Sequence, residues 1–290
     1  MADVVAARKA PHRAAYALPT LFTAGNICLG YLAIVRTIQA AIVYSSDPGA
    51  ATLHLEVAAQ TIGFSFILDG LDGRIARMTN TTSEFGKELD SLADIISFGI
   101  APAILAYVWG VQFVTDSLGA TTLDQLQRAG KFLSFLFLVC GAARLARFNI
   151  TKNPVPKNPG APDKKYFVGL PIPAAAGVVA SVVYAAGSTP LTSPLWSVAW
   201  MALLALLAFL MVSTWRYWSF KELNLLRPRS PIMLVGMAAV IFAIRNWSQP
   251  VLLLMAGTYM LSGVVTRIAG LLRRLFRPAP PQPKPETQVG

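Results

Sequence analysis

Histidine and cysteine are almost missing from this chain, with two of each in 290 residues. His12 and His54 fall outside the long apolar runs, so nothing points to imidazole catalysis. Cys28 and Cys140 each lie inside an apolar run. There they read as small buried hydrophobes, not as a disulfide or a thiolate metal site. Charge is scarce as well. Only 13% of residues are Asp, Glu, Lys or Arg, about half the share usual in soluble domains. Alternation of apolar and polar residues is also lacking, which excludes a membrane β-barrel. What fills the chain instead is apolar sequence, 54% of it. Several runs approach or exceed the roughly 18 residues that cross a bilayer as a helix. The expected fold is all-α, a polytopic bundle of transmembrane helices.

The spacing of these runs predicts about eight spans, with six to eight compatible. They fall near residues 18–43, 55–77, 84–111, 131–150, 168–187, 194–214, 231–247 and 250–266. Residues 44–54 and 112–130 read as polar loops between them. A short basic segment, residues 1–16, precedes the membrane domain at 17–266, and a basic, Pro-rich tail follows at 267–290. The net charge of +11 is not the mark of a nucleic-acid partner. The lysines and arginines cluster at 1–16, 151–166, 216–229 and in the tail. Basic residues of that kind gather on the cytoplasmic side of a membrane protein. With eight spans, both termini are expected in the cytoplasm.

Against this background the acids stand out. Four aspartates, Asp69, Asp72, Asp90 and Asp94, lie within DGLDGRIARMTNTTSEFGKELDSLAD. The first pair is three apart and the second four apart, so each pair shares a helix face. The stretch reads as two helices joined by a polar turn. If they are antiparallel neighbours, all four carboxylates converge, which demands cations. Oxygen donors without nearby His or Cys favour Mg²⁺ or Mn²⁺ over zinc. Gly73, one turn after Asp69, leaves room for a ligand to approach the backbone. Ala76 keeps that neighbourhood small, and Arg77 offers a fork for phosphate. Ser83 is placed to cap the second helix. Metals, glycines and an arginine together describe a diphosphate site. Apolar sequence borders the stretch on both sides, FSFIL before and IISFGIAPAILAYVWG after. Ionisable groups set into such segments are functional by default.

The pattern D-x2-D-G-x2-A-R-x8-G-x3-D-x3-D runs without departure through Asp69, Asp72, Gly73, Ala76, Arg77, Gly86, Asp90 and Asp94. It resembles the signature of the CDP-alcohol phosphotransferases, integral membrane enzymes of phospholipid synthesis. RLARFN, KYFVGLPIPAAA and RYWSFKEL, with Ser91 between the last two aspartates, resemble the bacterial phosphatidylserine synthases within that family. With these segments the resemblance covers most of residues 17–225.

The resemblance implies a reaction. CDP-diacylglycerol would donate its phosphatidyl group to the hydroxyl of L-serine and release CMP at a two-metal site. Asp69, Asp72, Asp90 and Asp94 would be the metal ligands, with Asp94 also the general base. Gly73, Arg77, Ser83 and Gly86 would hold CDP-diacylglycerol, joined by Thr23 and Asn26 of the first span. Arg144 and Arg147 are expected at the acceptor carboxylate or the lipid phosphate, with anchoring of the span as their ordinary alternative. The enzyme is expected in a bacterial inner membrane with its site facing the cytoplasm. A homodimer is implied by resemblance alone. Glycerol 3-phosphate, inositol and choline remain alternative acceptors. Two other classes fit the residues less well. A cation transporter would not place Arg77 at motif spacing beside its ion path, and a non-catalytic scaffold would not retain all four aspartates.

Overall fold

The computed structural model describes residues 13–78, 83–115, 119–151, 166–218 and 231–275. Nine α-helices account for most of them: α1 (Arg13–Val43), α2 (Pro48–Met78), α3 (Glu84–Asp94), α4 (Ala101–Tyr107), α5 (Ala120–Thr151), α6 (Ile172–Ala185), α7 (Pro194–Val212), α8 (Pro231–Asn246) and α9 (Ser248–Leu275). Among the described residues, six helical stretches are long and apolar enough to cross a membrane: Thr20–Val43, Pro48–Ile75, Glu84–Gln112, Ala120–Ile150, Pro194–Val212 and Ser248–Ala269. Two shorter apolar helices, Ile172–Ala185 and Leu234–Asn246, complete the eight expected segments. The chain is an integral membrane protein.

The long α1 and α2 pack side by side because each carries a stripe of small residues. Thr23, Asn26, Gly30, Ala33, Thr37 and Ala40 recur every three or four residues along α1, and all are buried. Ala51, Leu55, Ala58, Ala59, Ile62 and Ser65 are buried on α2. Small side chains let membrane helices approach closely, where there is no hydrophobic drive to associate. The outward faces carry large exposed side chains such as Leu21, Tyr31, Ile42, Leu53, Phe64 and Phe66, which suits contact with acyl chains.

The third span, Glu84–Gln112, is one continuous helical rod that changes pitch. α3 passes into a π-helical turn, Ile95–Ile100, then α4, then a second such turn, Val108–Gln112. The Ala101 amide bonds back five residues to the Ile96 carbonyl. Pro102 follows at once and has no amide to donate. The wider turn absorbs that loss, and π-turns of this kind gather at functional sites. The core is built around this rod. Phe98, Leu105, Ile172, Leu204, Leu207 and Met211 are fully buried. Trp109 and Trp200 meet edge to face at 4.9 Å. The Trp200 indole donates to the Ala106 carbonyl at 2.9 Å.

Several expectations need correction. The segments at 44–54 and 112–130 are not loops throughout. α2 begins at Pro48, because Asp47 caps it by accepting from the Ala50 amide at 2.9 Å, and Pro48 is preset for a first helical position. α5 begins at Ala120, extended beyond its apolar part by a polar turn with an Asp124–Arg128 ion pair at 2.9 Å. Cys28 is exposed rather than buried, since it lies on the opposite side of α1 from the small-residue stripe. A two-stranded antiparallel pair was not foreseen. β1 (Tyr166–Val168) and β2 (Arg216–Trp218) align Phe167 with Tyr217. The pair lies at the ends of α6 and α7, so those helices form a hairpin closed by the strands.

Candidate active site

Asp69 lies on α2, and Asp90 and Asp94 lie one turn apart on α3. Carboxylate oxygens of the three lie within 4.8 Å of one another. The convergence expected from spacing is present for these three. The side chains of Asp72, Ala76 and Arg77 are outside the described residues, although all three positions belong to α2. Three like charges at that distance repel by roughly 3 kcal/mol per pair at an effective dielectric constant of about 20. A divalent cation would reverse that sign. An all-carboxylate donor set matches a hard cation, so the residues present fit the expected metal. Asp94 is the most enclosed of the three, 9% exposed, while Asp69 and Asp90 are half-buried.

α3 is held at its start by its own cap. Ser83 is extended, with φ −113° and ψ 155°, and its Oγ accepts from the Gly86 amide at 3.0 Å. A Cβ on Gly86 would lie 3.0 Å from that Oγ, so the cap and the glycine belong together. The hydroxyl keeps its own proton to donate, at a helix N-terminus that favours anions. Gly73 sits one turn beyond Asp69 on an exposed face, where a Cβ would meet nothing within 4 Å. The space beside it is open, as an approaching ligand requires.

Thr23 and Asn26 are buried on α1, and two contacts fix their place. A Cβ on Gly25 would lie 2.9 Å from Leu68, the neighbour of Asp69. The Ser97 hydroxyl, one turn after Asp94, donates to the Asn26 carbonyl at 2.9 Å. This turn of α1 therefore touches both aspartate-bearing helices. The side-chain amide of Asn26 is 1% exposed, with no hydrogen-bond partner among the described residues. Buried amides are rarely left so, and a bound donor group is one way to satisfy it.

The two arginines of α5 part company. Arg144 is buried, stacks over the Phe148 ring at 5.1 Å and feels the charge of Asp94. Arg147 donates to the Val212 carbonyl at 2.9 Å, closing the C-terminal end of α7. Arg144 is thus within electrostatic reach of Asp94, and one contact of Arg147 fastens α5 to α7.

Two participants lay beyond the sequence reading. Tyr259, on α9, shares the electrostatic surroundings of Arg144. It packs against Tyr217 of β2 at 5.8 Å between ring centroids. Asn149, the last residue of RLARFN, donates to the Ser91 hydroxyl at 2.9 Å. Tyr259 carried no signal of its own. Although Asn149 belongs to the RLARFN segment and Ser91 was singled out beside it, their pairing was not foreseen because it joins segments far apart in the chain.

The model of the CDP-alcohol phosphatidyltransferase family matches residues 16–212. A CDP-diacylglycerol–serine O-phosphatidyltransferase of Helicobacter pylori (strain ATCC 700392 / 26695) is 39% identical over 209 residues, covering 72% of this chain and 75% of that protein. One from H. pylori strain J99 is 34% identical over 263 residues, covering 90% of this chain and 95% of its own length. A Saccharomyces cerevisiae protein of the same name is 47% identical over a shorter stretch of 116 residues, 40% of this chain and 37% of that protein. The match runs across the aspartate site, the arginine-bearing α5 and the α6–α7 hairpin, and this chain belongs to the CDP-alcohol phosphatidyltransferase family.

Proposed function

We propose that this enzyme is a phosphatidylserine synthase that transfers the phosphatidyl group of CDP-diacylglycerol to the hydroxyl of L-serine. The observation that carries the reading is the meeting of Asp69, Asp90 and Asp94 within 4.8 Å, in a chain whose relatives bear that activity in their names. Asp69, Asp90 and Asp94, with Asp72 as an expected fourth ligand, would hold Mg²⁺ or Mn²⁺, two ions in the expected arrangement. Such a cation, when bound, neutralises the diphosphate and stabilises charge that builds up in phosphoryl transfer.

The remaining chemistry belongs to the chain. Asp94 accepts the proton of the serine hydroxyl, as an enclosed carboxylate held one turn from Asp90 can do. The serine oxygen forms a bond to the phosphorus that carries the diacylglycerol. The bond from that phosphorus to the bridging oxygen breaks, and CMP leaves with the electron pair. Arg144 supplies the cation for the serine carboxylate, and its burial strengthens that interaction. Asn26, Thr23 and Ser83, with Gly73 opening the backbone and Arg77 as a phosphate fork, hold the donor. The lysines and arginines clustered in sequence at 1–16, 151–166, 216–229 and in the tail orient the site to the cytoplasm, in a bacterial inner membrane.

The test offers purified protein CDP-diacylglycerol with labelled serine, glycerol 3-phosphate, inositol or choline in parallel, with EDTA and with Mg²⁺ or Mn²⁺ restored. Serine should enter lipid with stoichiometric CMP, only when metal is present. Incorporation of glycerol 3-phosphate alone would overturn the serine assignment and leave the aspartate mechanism intact. Absence of CMP with every acceptor would overturn the enzyme.

A further inference from the structure

α3 carries Asp90 and Asp94, and its fixed packing is against α1 and the π-helical turn that follows it. Toward α5 the packing is sparser among the described residues. A cleft of about 190 Å³ lies there, lined by Glu88, Ser91 and Asn149 and by apolar Leu92, Ile95 and Leu145. Across this gap the Asn149 amide donates to Ser91 Oγ at 2.9 Å. The Ser91 hydroxyl is itself aimed, because it donates to the Lys87 carbonyl at 3.0 Å. The bond therefore meets a hydroxyl whose direction is already set by α3.

The two ends of the bond are informative. Ser91 adjoins Asp90 and lies three residues before Asp94, so a tilt of α3 that moves Ser91 moves both carboxylates. Asn149 lies five residues beyond Arg144, about 7.5 Å along the helix axis. Between them Arg147 is fastened to the Val212 carbonyl at 2.9 Å. The last turn of α5 is thus tied on one side to α7 and on the other to α3. Arg144, just above these ties, feels Asp94.

We propose that the Asn149–Ser91 hydrogen bond is a strut that sets Arg144 against Asp94, making Asn149 a positioning residue for the acceptor alcohol. The inference rests on the serine-transferring reading above. It goes beyond that reading in giving acceptor affinity to a hydrogen bond between two residues that are not members of the aspartate cluster.

The experiment measures KM for serine and for CDP-diacylglycerol separately on purified full-length Asn149→Ala, Ser91→Ala, the double variant and Ser91→Thr, with melting temperature recorded for each. One hydrogen bond of this kind predicts a rise in serine KM of about threefold to tenfold in each alanine variant. KM for CDP-diacylglycerol should stay within about twofold, and the double variant should be no worse than the poorer single one, because both remove the same bond. Ser91→Thr keeps the hydroxyl and should stay near wild type. Parallel rises in both KM values, additive effects in the double variant, or Ser91→Thr behaving as Ser91→Ala would overturn the strut. If wild type uses another alcohol instead of serine, the functional reading fails, and the same pattern on that alcohol's KM still decides the strut.

Discussion

Asp94 is the aspartate that combines enclosure with a cationic neighbour. It is 9% exposed, meets Asp69 and Asp90, and faces the charge of Arg144. The amide of Asp94→Asn fills the same space but cannot take a proton. Turnover should fall about 10²–10⁴-fold, the usual share of a general base, while CDP-diacylglycerol binding is largely kept. Activity above about a tenth of wild type would remove Asp94 from the base role. At the far side of the same neighbourhood, Tyr217 is fully buried with no hydrogen-bond partner for its hydroxyl among the described residues. Burial pushes its phenol from 10.0 up to about 12. A raised folded-state pKa leaves this contribution to stability intact below pH 10 and removes it as pH climbs toward 12. Tyr217→Phe should melt no lower than wild type at pH 8, and should lose less stability between pH 10 and 12. A melting temperature several degrees lower at pH 8 would show that the hydroxyl is needed. Residue spacing made the aspartates legible, because carboxylates at helical intervals in apolar sequence are costly unless they hold a ligand or an ion. The contacts of Tyr259 and Asn149 were not legible, although RLARFN, which ends in Asn149, stood out by resemblance. Their partners lie on other helices, and periodicity says nothing about which helix faces which.

Between α1 and the third span, a glycine decides how closely two elements meet. A Cβ on Gly30 would lie 2.8 Å from the Ser97 Cα, a backbone atom that cannot step aside. Gly30→Ala should therefore push α1 away from the π-helical turn, at a cost of about 1–3 kcal/mol typical of overpacking. It should also cost activity, since Asn26 sits one turn away and is tied to Ser97. Gly63→Ala on α2, where a Cβ meets nothing within 4 Å, is the control and should change neither. Equal melting temperatures for the two variants would refute the close-contact account. The element boundaries teach a related lesson. Hydropathy marks the part of a helix that is apolar, not the part that is helical. The start of α2 was visible in Asp47-Pro48, a cap followed by a preset first residue, yet its polar first turns hid it. The reverse holds for α6, expected over 168–187 and observed as Ile172–Ala185. Gly169 and Gly187 adopt positive φ, which ends the helix on both sides while the sequence stays apolar. The β1–β2 pair escaped notice because its strands are three residues long and meet across two intervening helices.

The arrangement of the whole bundle fixes which ends of the helices lie together. Arg147 near the end of α5 reaches the last turn of α7. β1 before α6 pairs with β2 after α7, and Tyr217 of β2 fills a notch at Gly263 of α9 that any Cβ would close. At the other end, the Leu191 amide donates to the Trp109 carbonyl at 2.8 Å, and Tyr184 on α6 meets Ser248 on α9 at 2.9 Å. So α6 leads away from the aspartates and α7 returns. α8 leaves from the same end and α9 comes back. α6 and α8 are 14 and 16 residues long, about 21 and 24 Å at 1.5 Å per residue. Each is short for a bilayer core of about 30 Å, but each is paired with a longer returning helix. Whether six or eight segments cross, the number is even, and the start of α1 and the end of α9 share the aspartate side. Only a seven-span chain would separate them. In sequence, the basic segments at 1–16, 151–166 and 216–229 and the arginines of the tail adjoin helix ends on this side, while Arg128, Lys131 and Arg245 belong to helix ends on the other. That asymmetry predicts a cytoplasmic aspartate end. Alkaline phosphatase fused after Thr189, in the α6–α7 turn, should be active, and the same reporter after Gly290 should be inactive where a fluorescent protein glows. Phosphatase activity after Gly290 would contradict the shared-side model. It would also place the aspartates opposite the compartment where CMP is expected to leave.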